Sequence, residues 1–299
     1  MIPAQLAISR LRRDLTLGLA LNIVLCVLAA ACLVLPMSIG GFGGIMLLTL
    51  VGVIWLGLSY QSVKGSRLAA GSPGLIAAGE LEIAEHQIES ALKSFSLYRT
   101  SKLMALHHLA LLRHAQKRWE DCAQLCRELL QQRLGSLRPL ERPTRLMLAE
   151  ALLELNDLPA AHLAILQLYQ QRLTLGEATN LLLVQLDYET RISSWEQMCQ
   201  GLSAKAQLAE LLPAGKSARA QAFLALAARK AGYEDWSQWL RRRAELLVDV
   251  NELTKGRPVL WELWAAPAAQ AQVSQSGATT PATAADSAGS QADPAPFGR

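Results

Sequence analysis

Residues 15–63 contain no Asp, Glu, Lys, Arg or His. A water-facing surface needs polar groups and this stretch supplies none, so it must be covered by lipid or by protein on every side. The shortage is local. The chain as a whole is 18% charged, below the usual quarter, and 51% apolar, and most of that imbalance sits in this one region. Residues 15–35, LTLGLALNIVLCVLAAACLVL, are long enough at ~1.5 Å per residue to cross a hydrocarbon core of ~30 Å. Pro36 and the glycines 40, 41, 43 and 44 then break the helix. A second apolar stretch runs from residue 42 to 60, with Trp55 and Tyr60 towards its end, where amphipathic rings favour the membrane interface. The pattern predicts a transmembrane helical hairpin over residues 15–60.

Two other readings of the first stretch fail on length and on flanks. A secretory signal has an apolar core of about 7–15 residues followed by polar mature sequence, whereas this one leads straight into a second apolar run. A buried hairpin of a water-soluble domain would need both helices apolar all round. Arg10, Arg12 and Arg13 precede the first stretch, Lys64 and Arg67 follow the second, and the turn between carries no charge, so both ends of the hairpin are expected in the cytoplasm. Residues 1–14 are expected to form a basic cytoplasmic segment whose RLRR could also touch anionic headgroups. Asn22, Gly18, Ala29, Ala30, Gly44 and Gly52 allow close helix–helix approach. Five cysteines without loop spacing speak against a disulfide framework and for a reducing compartment.

From about residue 75 to 264 β-branched residues are sparse, Ala, Leu, Gln, Glu and Arg dominate, and apolar residues recur at helical spacing. The fold class is all-α. Similar segments recur: GELEIAEHQIESAL from 79, RWEDCAQLCRELL from 118, DLPAAHLAILQLY from 157, SWEQMCQGL from 194 and GYEDWSQWL from 232. Their large apolar starters, Leu81, Trp119, Leu158, Trp195 and Tyr233, step by 38, 39, 37 and 38 residues. Each unit has room for two antiparallel helices, which predicts four to five stacked helical hairpins.

LALLRHAQKRWEDCAQLCRELL from Leu109 and LAEALLELNDLPAAHLAILQLY from Leu148 resemble the tetratricopeptide repeat family. Ala110 and Ala149 stand at the close approach of the leading helix, Trp119 or Leu158 opens the second helix as a wedge, and Cys122 or Ala161 takes the small slot. Met198 and Trp236 depart from that slot, Lys117 and Asn156 replace the family's turn glycine, and the units exceed its standard of about 34 residues. The resemblance implies a superhelix whose inner wall, lined by the leading helices, holds a segment of a protein partner. Carried onto this chain, the wall would comprise His107, Leu111, His114, Glu150, Glu154, Asn180, Asp187, Arg191, Gln221 and Arg229, a mixed-charge row suited to a peptide or helix.

The first unit lacks an uninterrupted leading helix, because Gly65, Gly71, Pro73 and Gly74 fall there, so residues 61–74 read as a juxtamembrane hinge. Residues 261–264 are expected to fold back on a closing helix. Residues 265–299 are mostly Ala, Ser, Thr, Gln, Pro and Gly, with Phe297 the one large aromatic, too few large apolar groups to offset ordering entropy, and are expected to be disordered. His107, His108 and His114 with Cys122 and Cys126 match no zinc spacing, and the cysteines fit packing slots. No nucleotide loop, nucleophile elbow or redox motif is present, so no catalytic role, cofactor or small-molecule substrate is expected. A net charge of +4 spread among alternating signs excludes a nucleic-acid face. The functional expectation is a membrane-anchored interaction or scaffold module at the cytoplasmic face. Its rivals are an assembly or regulatory subunit bound through the hairpin, and a membrane enzyme without a recognisable motif.

Overall fold

A computed structural model describes residues 3–34, 42–94, 96 and 98–264; the turn expected around residues 36–41 and the tail from residue 265 lie outside the described residues. Among the described residues all regular structure is helical, in fifteen α-helices and two short 3₁₀ turns. The described residues up to Leu263 form one unit, and of the unit beginning at Trp264 only that residue is described.

Helix α1 spans Ala4–Val34 and α2 spans Phe42–Ala70. Among the described residues α1 alone is long and apolar enough to cross a membrane, and it lies near the N-terminus. Side chains such as Leu19, Val27, Val53 and Leu56 stand exposed along the apolar lengths of α1 and α2. The two helices pack on each other, and Leu25 and Val51 are buried along these lengths.

Each helix runs beyond its apolar stretch, α1 ahead of it and α2 after it. The first three turns of α1 carry Ala4, Ala7, Leu11 and Asp14 at helical spacing, all buried, and they lie against α4 (Leu81–Lys93), α5 (Arg99–Ala115) and α6 (Trp119–Gln131). Residues 1–14 are therefore not a free basic segment: from Ala4 they are part of the repeat core. Likewise residues 61–70 are not a hinge. The second apolar helix continues through them to Ala70, burying Ser62 and Ala69, and α3 (Ser72–Ala77) follows directly, so this stretch supplies the leading helix that the first unit lacks in sequence. The join between the two helices is held at its buried serine: Ser72 Oγ bonds the Ala69 carbonyl at 2.7 Å and His108 Nδ1 at 3.0 Å.

The units then follow in solenoid fashion: α5/α6, α7 (Glu141–Glu154)/α8 (Leu158–Tyr169), α9 (Leu175–Arg191) with α10 (Trp195–Cys199) and α11 (Leu202–Glu210), and α12 (Ala214–Lys230)/α13 (Glu234–Leu247). One local device repeats in all five. Gly79, Lys117, Asn156, Ser193 and Gly232 each adopt a left-handed conformation, at steps of 38, 39, 37 and 39 residues. The next residue's N–H returns to a carbonyl five residues back, Arg118 to Arg113 at 2.8 Å and Asp157 to Leu152 at 2.9 Å among them, which satisfies an otherwise open carbonyl at the helix end. Five residues after each left-handed residue stands a side chain at the tight contact: Ala84, Cys122, Ala161, Met198 and Ser237, all buried. This corrects the fifth unit by one position. The small slot belongs to Ser237, and Trp236 is exposed and packs edge-on against Trp239. In the fourth unit Met198 does fill the slot, and the second helix is split just beyond it at Gly201, which is left-handed. Trp119 is only half-buried, edge-on to His114 at 5.2 Å, and so lies at the rim of its hairpin.

The turn geometry carries its own test. A left-handed conformation costs an L-residue about 1–2 kcal/mol, while glycine gives back roughly 0.5–1 kcal/mol through its freer unfolded state. Lys117→Gly and Ser193→Gly are each expected to raise the unfolding free energy by about 0.5–1 kcal/mol. Asn156→Gly should change little, because Asn tolerates this conformation. Urea unfolding of the three variants measures the difference, and a loss of stability in Lys117→Gly would contradict the account.

Candidate functional site: the inner wall of the leading helices

The leading helices α5, α7, α9 and α12 lie side by side, each in contact with the next. Polar side chains at corresponding heights meet as rungs between neighbours. His107 Nδ1 lies 3.1 Å from Thr144 Oγ1, His114 Nε2 lies 2.7 Å from Glu150 Oε2, and Lys216 Nζ donates to Asn180 Oδ1 at 2.7 Å. The start of α9 is fixed by a capping box in which Thr174 and Glu177 exchange hydrogen bonds, and that sets the height of Asp187 and Arg191 three turns later.

The residues expected from sequence thus lie on neighbouring leading helices, and not all of them are open. Gln221 is 1% exposed and His107 9%, so both belong to the interior, and Leu111 is half-buried against the core. Burial drives the His107 imidazole down to a pKa of about 4, with the neighbouring His108 adding to the shift, so both are neutral spacers. The three histidines also go to separate partners: His108 Nδ1 lies 2.9 Å from the Ala69 carbonyl, His107 meets Thr144 and His114 meets Glu150. Cys122 and Cys126 are buried on α6, where their mutual hydrogen bond and burial push the Cys126 thiol up. They act as small apolar groups at a packing seam.

At the centre of the wall, Glu154 of α7 and Asp187 of α9 share a third partner. Arg257, beyond the last repeat, bonds Glu154 through Nη2 and reaches Asp187 Oδ2 at 2.7 Å with the same nitrogen. Burial works against a charged guanidinium there, but the Glu154 hydrogen bond and the two carboxylate charges outweigh it and hold Arg257 firmly protonated. Arg191 also faces this pair, 3.0 Å from Asp187 Oδ1. The segment that delivers Arg257 is anchored by Leu253, Leu260 and Leu263, all buried, and by Arg229 Nη1, which donates to the Glu262 carbonyl at 2.7 Å. The short helix α14 (Val250–Thr254) and the 3₁₀ turn at residues 258–260 both touch α12. Glu154, Asp187 and Arg191 therefore meet around Arg257, while Arg229 holds the same segment further along, at Glu262.

Sequence reasoning missed Arg257 because it lies outside the repeat and has no counterpart in the other units. Its available signal was the capping Asp249, then Gly256 and Pro258 around an arginine, followed by WELW: a turn too well specified for a tail. Beside the ion pairs remains an open cavity of about 200 Å³, whose lining includes Trp119, Glu150, Lys216 and Phe223. No family model, no curated protein and no solved structure matches this chain.

Proposed function

We propose that this chain is a membrane-tethered tetratricopeptide-like interaction module without catalytic or cofactor chemistry. Residues 15–35 and 42–60 cross the bilayer as a hairpin, the repeat domain lies at the cytoplasmic face, and the inner wall holds a segment of a protein partner. The observation that carries this reading is the acidic pair Glu154 and Asp187, contributed by two different repeats and gripping one arginine from a non-repeat segment. A carboxylate pair spanning two repeats suits a guanidinium, which takes two acceptors at fixed angles. The partner accordingly presents a basic side chain to the position that Arg257 fills and competes with it. The resident segment then lowers apparent affinity by the fraction of time it occupies the wall.

Photocrosslinking from native membranes, with a crosslinker at Trp119 beside the open cavity, tests this. The Glu154→Gln/Asp187→Asn double variant should lose a discrete crosslinked partner and Arg257→Ala should increase it. Equal yield in all three would remove the wall from the function. A crosslinker at the exposed Leu19 or Val53 separates the rival reading, a subunit bound through its hairpin, which those uncovered apolar side chains favour. Topology is checked by reporter fusions after Arg13, within residues 37–44 and after Arg67, expected cytoplasmic, external and cytoplasmic. An external signal after Arg67 would overturn the proposed orientation.

A further inference from the structure

Where α1 leaves the repeat domain, a cavity of about 490 Å³ opens between its wall and the ends of α5 and α6. Its lining has two chemistries. Arg12, Ser96, Arg99 and Gln132 form a polar end; Leu15, Gly18 and Leu19, on the first turns of the apolar stretch, form the other, with Thr16 among them and Asn22 at its far edge. Leu15 and Leu19 are one helical turn apart, ~6 Å, so the apolar end runs along the helix in the direction of the hydrocarbon. The height of this cavity is marked independently by α2, whose Ser59 Oγ accepts a hydrogen bond from Tyr98 Oη at 3.2 Å, at the end of the apolar stretch of that helix.

The charges at the polar end do not cancel. Arg12 binds Glu128 twice, through Nε at 3.1 Å and Nη2 at 2.6 Å, and that hydrogen bond holds the Glu128 carboxyl below its ordinary range despite burial. Asp14, the carboxylate that also lines the cavity, is taken by Lys102 at 2.8 Å. Arg99 is matched by a neutral group, Gln132 Oε1 at 2.9 Å. Two matched pairs and one guanidinium with a neutral partner leave a positive end beside an apolar one, which is the complement of a lipid phosphate with its acyl chain.

We propose that this cavity binds an anionic phospholipid. Arg99 and the donors of Arg12 not engaged by Glu128 receive the phosphate, Gln132 and Ser96 supply further hydrogen bonds, and an acyl chain lies along Leu15 and Leu19. The inference rests on the membrane reading of α1, so its test begins with the full-length protein already shown to resist carbonate extraction from membranes. Failure at that step overturns the tether and not merely the lipid site.

The protein is placed in nanodiscs of phosphatidylcholine with or without a tenth phosphatidylglycerol, and lipids that survive release into mild detergent are counted by native mass spectrometry. One phosphatidylglycerol should be retained per chain in preference to phosphatidylcholine. Arg99→Gln should weaken retention about fivefold or more, the scale of one basic residue at a lipid surface. Arg133→Gln, exposed and not on the cavity wall, should leave it unchanged. Equal losses in Arg99→Gln and Arg133→Gln would reduce the effect to diffuse surface charge and overturn the site. Displacement of the bound lipid by millimolar inorganic phosphate alone would make it an anion site, overturning the acyl-chain half of the proposal. Thermal unfolding of Arg99→Gln confirms that the variant is folded, and Leu19→Asn, which alters only the apolar end, should lower retention independently.

Discussion

Lys102→Met is expected to cost about 3–5 kcal/mol of the stability of the repeat domain, because it removes one partner of a buried ion pair and strands the other. The Lys102 side chain is 3% exposed. Its ammonium reaches Asp14 of α1 at 2.8 Å and the Leu92 carbonyl at 2.7 Å, and it also bonds the Ser94 carbonyl, so one cation ties the base of the apolar helix to the end of α4. Methionine keeps much of the volume and none of the charge. The Asp14 carboxylate is then left buried with only the exposed Arg13, 3.8 Å away, as counter-charge, and the Leu92 and Ser94 carbonyls lose their donor. The Asp14→Leu/Lys102→Met double variant should recover part of the loss, since replacing both partners is far less costly than replacing one. Urea unfolding in detergent measures the energies, and hydrogen exchange over residues 4–14 reports whether α1 detaches. A loss under about 1 kcal/mol, or unchanged protection of those residues, would mean that the apolar contacts of Ala4, Ala7 and Leu11 hold α1 unaided.

The same region shows how far the sequence could be read. The apolar stretches and the repeat period were legible because each is a pattern of many residues: a charge-free run, and large starters near every thirty-eighth position. The docking of α1 was less so. Its stripe, Ala4, Ala7, Leu11 and Asp14, has helical spacing but little apolar weight, and the arginines between dominate the composition. Nor does a hydropathy pattern report that Lys102 neutralises Asp14 eighty-eight residues away. The leading helix of the first unit was hidden for a related reason. Gly65 and Gly71 read as breakers, yet the helix runs through the first to Ala70 and resumes at Ser72, where Ser72 and His108 bond at 3.0 Å. In the fifth unit Tyr233 outranks its neighbours by size, which shifted the register by one. The left-handed Gly232 sets the register instead, and a residue's φ leaves little trace in hydropathy.

The candidate wall was legible as a row and not as a state. His114–Glu150, Asn180–Lys216 and His107–Thr144 are spaced i to i+36 or i+37, two or three residues short of the 39-residue step between those units, so each contact runs from one leading helix to a position nearly one turn earlier in the next. Which of them are open to a ligand depends on depth. His107 and His114 are two turns apart on one helix, yet the first is buried beside Thr144 and the second reaches the cavity. A segment from outside the repeat then decides how much of the row is free, and no periodicity encodes it.

The depth of His107 makes the fold sensitive to mild acid. Its folded-state pKa is about 4 against an ordinary 6.5, chiefly because burial disfavours the imidazolium, and burial lowers that of His108 as well. Between those two values the unfolded chain binds a proton that the folded chain refuses. Stability is therefore fully present above pH 6.5 and falls as the pH drops towards 4, at about 1.4 kcal/mol per pH unit for one such histidine. At pH 5 the loss from His107 alone should be about 2 kcal/mol, rising to about 3 kcal/mol near pH 4, with His108 adding in the same direction. The carboxylates held low by their cations, Glu85 and Glu128 among them, act only at lower pH, because their ordinary value is 4.5. Unfolding free energies at pH 7.5 and 5.0, for the protein and for His107→Gln, isolate the contribution. The glutamine amide can meet Thr144 without titrating, so the variant's stability should fall distinctly less over this interval. An equal fall in both proteins would place the acid sensitivity elsewhere, and no fall in either would mean that His107 opens to water readily enough to be protonated in place.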